Sequence, residues 1–484
     1  MNRVEKLLKD HGPMLSGDLA REYENEYHTS NEAARKAISR ATSPVHKLLK
    51  FKFDKNQQFY YLNSQYMSDE YKEMLYSSMK EHSKTNYAYI LALADQCGYM
   101  TKNILPAFTG APIGKVKGHK QHANLINALI ETGIIKEYDD ERYTLDSAFG
   151  QSDNLSRAIG LEIAKKAIIN DFSKWSCGNN LTAYQSGKTL FECAEFAQFR
   201  WAFSAPSYIQ PLFSFKDNQP GFVVADVIYG KKATLDSIRF FIEKISIVRS
   251  FRNVKPFLPV LLVDKIDLEA LQLLKEKKVM VCILNNFFSE KYTDLLDKLV
   301  NIFANTTSIL NKNPDMIYKL FNELSKSEGR YNDMSGDMFE LLVGSHYAHI
   351  GCQMLKSKMF ISDETGKRRE LDLVAEKDGK IIIVECKAYK SKLDKEFVRN
   401  WLNDTVPFTR KWFLNNSQNN KMEFQLWSVG GFTENALNLL EKAKESKKYT
   451  VSYFNRKDML KLARETNDNS FVEILNMHFN IHEK

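Results

Sequence analysis

The sequence predicts a multidomain chain: an α-rich tandem of helix-and-hairpin units, then two α/β domains, the first lacking the polar residues of the second. Three observations carry this. At 484 residues the chain exceeds what one ordinary core holds. The first 150 positions run twice through three helical patterns followed by a pair of strand-like runs. From about residue 160 short apolar strands alternate with amphipathic helices, the texture of a buried, mostly parallel or mixed sheet.

Residues 3–10 place Val4, Leu7 and Leu8 on one helical face, and Gly12-Pro13 ends that helix. A second helix is expected over Gly17–Tyr23 with Ser16 as its N-cap. A third starts at Thr29-Ser30-Asn31-Glu32, a capping-box pattern, and runs through Ala33, Ala34, Ala37, Ile38 and Ala41. Strand-like runs Leu48–Asp54 and Gln58–Leu62 follow, around the turn Asp54-Lys55-Asn56-Gln57. The second pass has helices at Tyr87–Gln96, Thr101–Phe108 and His119–Thr132, then a hairpin of Ile134–Tyr138 and Arg142–Leu145. A polar helix near 65–85 joins the two passes. Three helices followed by a hairpin resemble a winged helix, so the reading is residues 1–64 and 87–150 as two winged helices with a helical linker at 65–86.

Apolar runs at Gly221–Tyr229, Phe257–Val263 and Val279–Leu284 read as strands, separated by helices at Leu235–Val248 and Leu268–Lys277. Strands Glu370–Glu376, Lys380–Lys387, Glu423–Val429 and Tyr449–Phe454 follow a helical stretch at 290–328. The two α/β segments resemble each other. Val224–Tyr229 leading to Leu235-Asp236 matches Val384–Tyr389 leading to Leu393-Asp394. Val263 and the helix from Asp267 match Val429 and the helix from Thr433, at a nearly constant offset. Duplication gives domains 151–310 and 311–484.

The net charge of +8 permits a polyanionic partner without specifying one. The six cysteines form no Cys-x-x-Cys pair, which argues against a zinc ribbon or a disulfide framework. The opening MNRVEKLLKDHG has no apolar core and no long apolar run occurs, so a cytoplasmic protein without a membrane partner is expected.

The chemistry concentrates near the C-terminus. Glu370-Leu371-Asp372 and Ile381–Lys387 flank the turn Lys377-Asp378-Gly379-Lys380, so a hairpin brings Asp372 and Glu385 to one end. Side chains alternate along a strand, so Glu385 and Lys387 share a side and Cys386 points away. Paired carboxylates suit a hard cation such as Mg²⁺, and a lysine beside them can orient or deprotonate a water or neutralise developing charge. This is the equipment of phosphodiester hydrolysis.

The pattern resembles the PD-(D/E)xK nuclease superfamily, the restriction-endonuclease-like fold, with Leu371-Asp372 as the first half and Glu385-Cys386-Lys387 as the second. Many members carry an upstream helical glutamate, and Glu340 in Met338–Leu342 matches it. Trp427–Thr433 and Tyr453-Phe454 resemble the closing strands of the Mrr-like branch. The resemblance covers about residues 330–465; no Gln-x-x-x-Tyr follows the lysine, which disfavours a RecB-like exonuclease. It implies an Mg²⁺- or Mn²⁺-dependent DNA endonuclease. Asp372 and Glu385 would hold metal, Glu340 would complete or orient that shell, and Lys387 would assist the water. Restriction or anti-phage defence is the implied setting, by family analogy. The alternatives are a recombination or transposition endonuclease, or a DNA-binding protein with non-catalytic nuclease folds.

In the first copy Glu385 aligns with Ala225 and Lys387 with Val227, so that copy is read as degenerate, with Glu192 as a relic of Glu340. Arg35, Lys36 and Arg40 on the third helix, with Lys50 and Lys52 at the hairpin, are the candidate DNA contacts. Homodimerisation or a partner protein of a defence system is compatible with this reading. His119/His122 and His346/His349 share helix faces but lack further ligands and are read as ordinary histidines, and Ser186-Gly187-Lys188 lacks the rest of a phosphate loop.

Overall fold

Helices and short strands interleave through the first 150 residues of the structure, a computed structural model that describes residues 2–51, 53–150, 154–213, 218–326, 336–417 and 421–479. It divides into two units, Met1–Thr293 and Asp294–Lys484.

The first unit opens with α1 (Arg3–His11), β1 (Met14–Leu15), α2 (Ser16–Tyr27), α3 (Asn31–Ser39), β2 (Val45–Leu48) and β3 (Phe59–Leu62). The strands pair antiparallel in the order β1-β3-β2. Val4, Leu7, Leu8, Leu19, Ala34 and Ile38 make one apolar core under this sheet. The expected strand Leu48–Asp54 is displaced: the ladder ends at Leu48, and Phe51 and Phe53 are buried outside it. Lys55 and Asn56 then turn the chain in left-handed conformations, φ 58° and 57°. The helix caps also differ from expectation. Ser30, not Thr29, caps α3, accepting the Ala33 N–H, and α2 begins at Ser16 without a side-chain cap.

A helix α4 (Asp69–His82) leads to a second pass: α5 (Lys84–Ala94), β4 (Tyr99–Thr101), α6 (His122–Glu131), β5 (Ile135–Glu137) and β6 (Arg142–Leu145). Its sheet order, β4-β6-β5, repeats the first. The helix expected over Thr101–Phe108 is only a 3₁₀ turn, Leu105–Phe108. Gly110, Pro112 and Gly114 follow directly and deny it a second turn.

The rest of this unit is α/β. The long helix α7 (Leu155–Gly178) precedes β7 (Lys188–Thr189), a small ribbon of β8 (Glu195–Phe196) and β9 (Phe199–Arg200), and β10 (Phe203–Ser207). Then come β11 (Gly221–Ala233), α8 (Leu235–Arg249), β12 (Phe257–Ile266), α9 (Leu268–Glu276), β13 (Met280–Ile283) and α10 (Leu284–Phe287).

The units divide within α11 (Glu290–Ala304). The second continues through α12 (Thr306–Lys312), α13 (Asp315–Lys326), α14 (Gly336–His349), β14 (Gln353–Ser362), β15 (Arg368–Lys377), β16 (Lys380–Lys387), α15 (Lys395–Asn400), a π-helical turn at Trp401–Thr405, and α16 (Val406–Asn416). It closes with β17 (Met422–Ser428), α17 (Glu434–Ala443), β18 (Thr450–Asn455), α18 (Arg456–Glu465) and α19 (Asn469–His478).

The two five-stranded sheets share a topology. One runs β7-β10-β11-β12-β13 and the other β14-β15-β16-β17-β18. In each, the first two pairings are antiparallel and the last two parallel. The strand runs legible in the sequence cover the last three strands of the first sheet and the last four of the second, but not β7, β10 or β14. Leu371, Val374, Ile383, Leu426, Trp401 and Leu440 belong to one core in the second unit, while α14 packs against β14, β15 and β16. Among the described residues no helix is long and apolar enough to cross a membrane.

Candidate active site

The hairpin of β15 and β16 sets up the site. Leu373 pairs with Val384, so the next residue on each strand, Asp372 and Glu385, stand side by side. The backbone N–H of Cys386 donates to Asp372 Oδ2 at 2.7 Å, fixing that carboxylate across the hairpin. Lys387 Nζ lies 2.6 Å from Glu385 Oε1 and 3.7 Å from Asp372 Oδ2. Cys386 is buried, as alternation requires.

Helix α14 adds Asp337 and Glu340, three residues apart and so on one face. Strand β14 adds a residue that sequence reasoning missed. Ser357 pairs with Leu373 and Met359 with Leu371, which sets Lys358 across from Asp372. Lys358 Nζ is 2.7 Å from Asp337 Oδ1, 2.8 Å from Glu340 Oε2 and 3.3 Å from Glu370 Oε1. Its φ of 51° is left-handed, which costs a non-glycine residue about 1–2 kcal/mol. The signal was weak in the sequence because Gln353–Ser362 shows no clean alternation, and Met354 is also left-handed.

Five carboxylates and two ammonium groups in a half-dry site perturb one another. Burial and the neighbouring Glu385 push Asp372 up to about 6, against the pull of Lys387. Burial drives Glu340 well above the usual carboxylate range, with Lys358 opposing and Asp372 and Asp337 reinforcing. Burial favours the neutral amine at Lys387 and Lys358, but the surrounding carboxylates override it and hold both well above an ordinary lysine.

The structure therefore gathers the four residues singled out in the sequence, with Glu340 held by Lys358. Two adjacent carboxylates, with Glu385 raising the proton affinity of Asp372, fit a divalent cation, which would relieve their repulsion. Among the described residues no group of three or more His, Cys, Asp or Glu side chains is arranged to hold a metal.

Comparison with known proteins bears on this region. Residues 331–462 match the model of a family described as restriction endonuclease, the Mrr catalytic domain. The C-terminal region carries a restriction-endonuclease-like domain. No curated protein and no solved structure matches the chain.

At the matching place in the first sheet, Phe203 pairs with Ala225 where Asp372 stands beside Glu385. The nearby acid Asp226 is fully buried on a different errand. Its carboxylate accepts the Ala202 N–H at 2.9 Å and sits 2.5 Å from Lys244 Nζ. Lys244 also donates to the carbonyls of Ala107 and Arg200, at 2.8 and 2.9 Å, and lies 4.3 Å over the Trp201 ring. Glu192 sits in an exposed 3₁₀ turn, where its carboxylate accepts from Thr189. The helices packed on β11 are α7 and α8, and Glu192 belongs to neither, so it does not stand where Glu340 does.

The candidate DNA contacts are distributed unevenly. Arg35 lines a groove of about 580 Å³ with Arg21, Asn31, Lys55, Gln57 and Tyr60, between α2, α3 and the turn before β3. Lys36 is paired with Glu32 at 2.7 Å. Arg40 is exposed at the end of α3, and exposed Lys50 pairs with Glu131. Lys52 lies outside the described residues.

Proposed function

We propose that this chain is a divalent-metal-dependent DNA endonuclease whose active site is Asp372, Glu385 and Lys387, with Glu340 beside them. The observation that carries the reading is the convergence of Asp372, Glu385 and Lys387 at one end of the β15–β16 hairpin. Asp372 and Glu385 would hold Mg²⁺ or Mn²⁺; when bound, the ion stabilises phosphate charge and acidifies a water. Lys387, kept charged by the two carboxylates, neutralises charge developing on the phosphate and orients the attacking water. The Cys386 N–H holds Asp372 in place, so its position does not depend on the cation.

The N-terminal units have the element order of winged helices, and the groove holding Arg21, Arg35 and Lys55 supports a phosphate-backbone contact there. The first five-stranded sheet, with Phe203, Ala225 and Val227 in place of an active site, is read as a non-catalytic copy of the second. The Mrr-type match supports a role in restriction or anti-phage defence, the setting we favour over recombination or transposition. The test is incubation of the full-length protein with supercoiled, linear and single-stranded DNA in Mg²⁺ or Mn²⁺. Cleavage lost in EDTA and in Glu385→Ala supports the reading. Intact DNA under every condition, with DNA still bound, leaves a binding protein with a silent nuclease fold.

A further inference from the structure

Lys358 is the feature that the nuclease reading does not use. Three carboxylates from two elements, Asp337 and Glu340 on α14 and Glu370 on β15, converge on its ammonium. The lysine side chain is only 7% exposed, and Glu340 and Asp337 are also sheltered. Three acids in such a place require a cation, because an uncompensated buried charge is among the costliest features a fold can carry. An ammonium offers three donors, one for each carboxylate. The separations of 2.7, 2.8 and 3.3 Å are those of close ion pairs, and the contact to Glu370 is also a hydrogen bond. Ligation of Mg²⁺ would need oxygens at about 2.0–2.1 Å from the ion, so these acids are spaced for nitrogen rather than metal. The backbone is also bent for the purpose, since Lys358 is left-handed while its neighbours on both sides keep their pairing to β15.

We propose that the Lys358 ammonium is a built-in cation, occupying in the Asp337–Glu340–Glu370 cluster the place that a second divalent ion would otherwise take. It leaves Asp372 and Glu385 as the metal-binding pair and makes Glu340 a residue that acts through Lys358. This assignment rests on the nuclease reading for its meaning, but not for its test. Lys358 is a positioning residue: it neutralises the α14 acids beside Asp372 so that the pair at the hairpin need not share its ion with them.

The experiment counts ions. Full-length wild type, Lys358→Ala and Lys358→Arg are titrated with Mn²⁺, free ion being read by electron paramagnetic resonance. Lys358→Ala takes up one more Mn²⁺ per chain than wild type, Lys358→Arg takes up the same number, and the extra ion disappears in Lys358→Ala/Glu340→Gln. In melting experiments Lys358→Ala is less stable than wild type in EDTA and regains more of its melting temperature on adding Ca²⁺. Equal ion counts in wild type and Lys358→Ala, with no extra rescue by Ca²⁺, overturn the proposal. Should Lys358→Ala not fold, Glu340→Gln decides: Mn²⁺ affinity within about threefold of wild type supports it, and a loss of about tenfold or more, equal to that of Asp372→Asn, overturns it. Failure of the nuclease reading looks different. Wild type then binds no ion and cuts nothing, while the one-ion difference between wild type and Lys358→Ala still decides the role of the lysine.

Discussion

Asp372 accepts the backbone N–H of Cys386 at 2.7 Å, so the first acid of the candidate site is hydrogen-bonded to the residue between Glu385 and Lys387. Strand geometry alone sets Glu385 and Lys387 on one side of β16. This bond adds the register that brings Asp372 to them.

The first prediction concerns that set. Asp372→Asn, Glu385→Ala and Lys387→Ala each reduce cleavage by about 10³-fold or more, since each removes a group that meets transition-state charge. Asp372→Asn keeps an acceptor for the Cys386 N–H and folds like wild type. Asp372→Ala leaves that N–H unpaired and costs about 1–3 kcal/mol of stability. Plasmid nicking paired with chemical denaturation separates the two effects, and wild-type cutting by all three variants would dismiss the assignment.

A second prediction addresses the first sheet. Burial pushes Asp226 up to about 6 and Lys244 down, yet each remains the other's partner. Removing one member strands the other, so Lys244→Met destabilises the chain by about 3–5 kcal/mol. Asp226→Asn/Lys244→Met recovers much of that loss. DNA cleavage by the folded double variant stays at the wild-type rate, because neither residue belongs to the β15–β16 hairpin. Denaturation midpoints of the three variants check the coupling.

A third follows from His122. Burial, reinforced by Arg200, lowers it to about 4. Its Nδ1 is 2.8 Å from the hydroxyl of buried Tyr89, and the two rings stack. Between pH 4 and the unfolded value near 6.5 the unfolded chain binds a proton that the folded chain refuses. Stability is therefore fully present above 6.5 and falls as the pH drops toward 4, by about 3 kcal/mol from this one group. His122→Asn removes this titration, and its stability declines less steeply over the same window. Parallel slopes for the two proteins in urea denaturation would show that His122 is not the titrating group.

The β15–β16 hairpin was legible in the sequence because two ordinary signals coincided there. Ile381–Val384 is an unbroken apolar strand, and Lys377–Lys380 is a tight polar turn with Gly379 left-handed. The partner strand β14 was invisible for the opposite reason: its burial does not alternate, and left-handed Met354 and Lys358 break its period. Lys358 was missed with it. The first sheet's β7 is two residues long, too short for periodicity to register, and in β10 serines and Pro206 interrupt the apolar residues. The helix that shrank to Leu105–Phe108 shows the converse error, since its residues are apolar and buried but the Gly110–Gly114 segment allows one turn only.

The last prediction concerns DNA contact by the N-terminal units. Arg35 faces the groove that also holds Arg21 and Lys55, whereas Lys36 already spends its charge on Glu32 one turn away. Exposed i,i+4 pairs are worth little in isolation, so Lys36 remains free to exchange Glu32 for a phosphate, at a smaller net gain than Arg35. Arg35→Ala and Lys55→Ala should therefore weaken binding most, Arg40→Ala by an intermediate amount and Lys36→Ala least. Removing one cation from a DNA phosphate flattens the salt dependence of binding by about one unit of log–log slope. Removing a side chain from a base edge would instead cost about 1–3 kcal/mol and relax sequence preference without that change of slope. The measurement is DNA affinity of the full-length Glu385→Ala protein, which binds without cutting, across a series of salt concentrations. An unchanged slope in the Arg35/Lys55 double alanine variant would make these units protein-contact modules, and DNA targeting would then fall to the C-terminal unit.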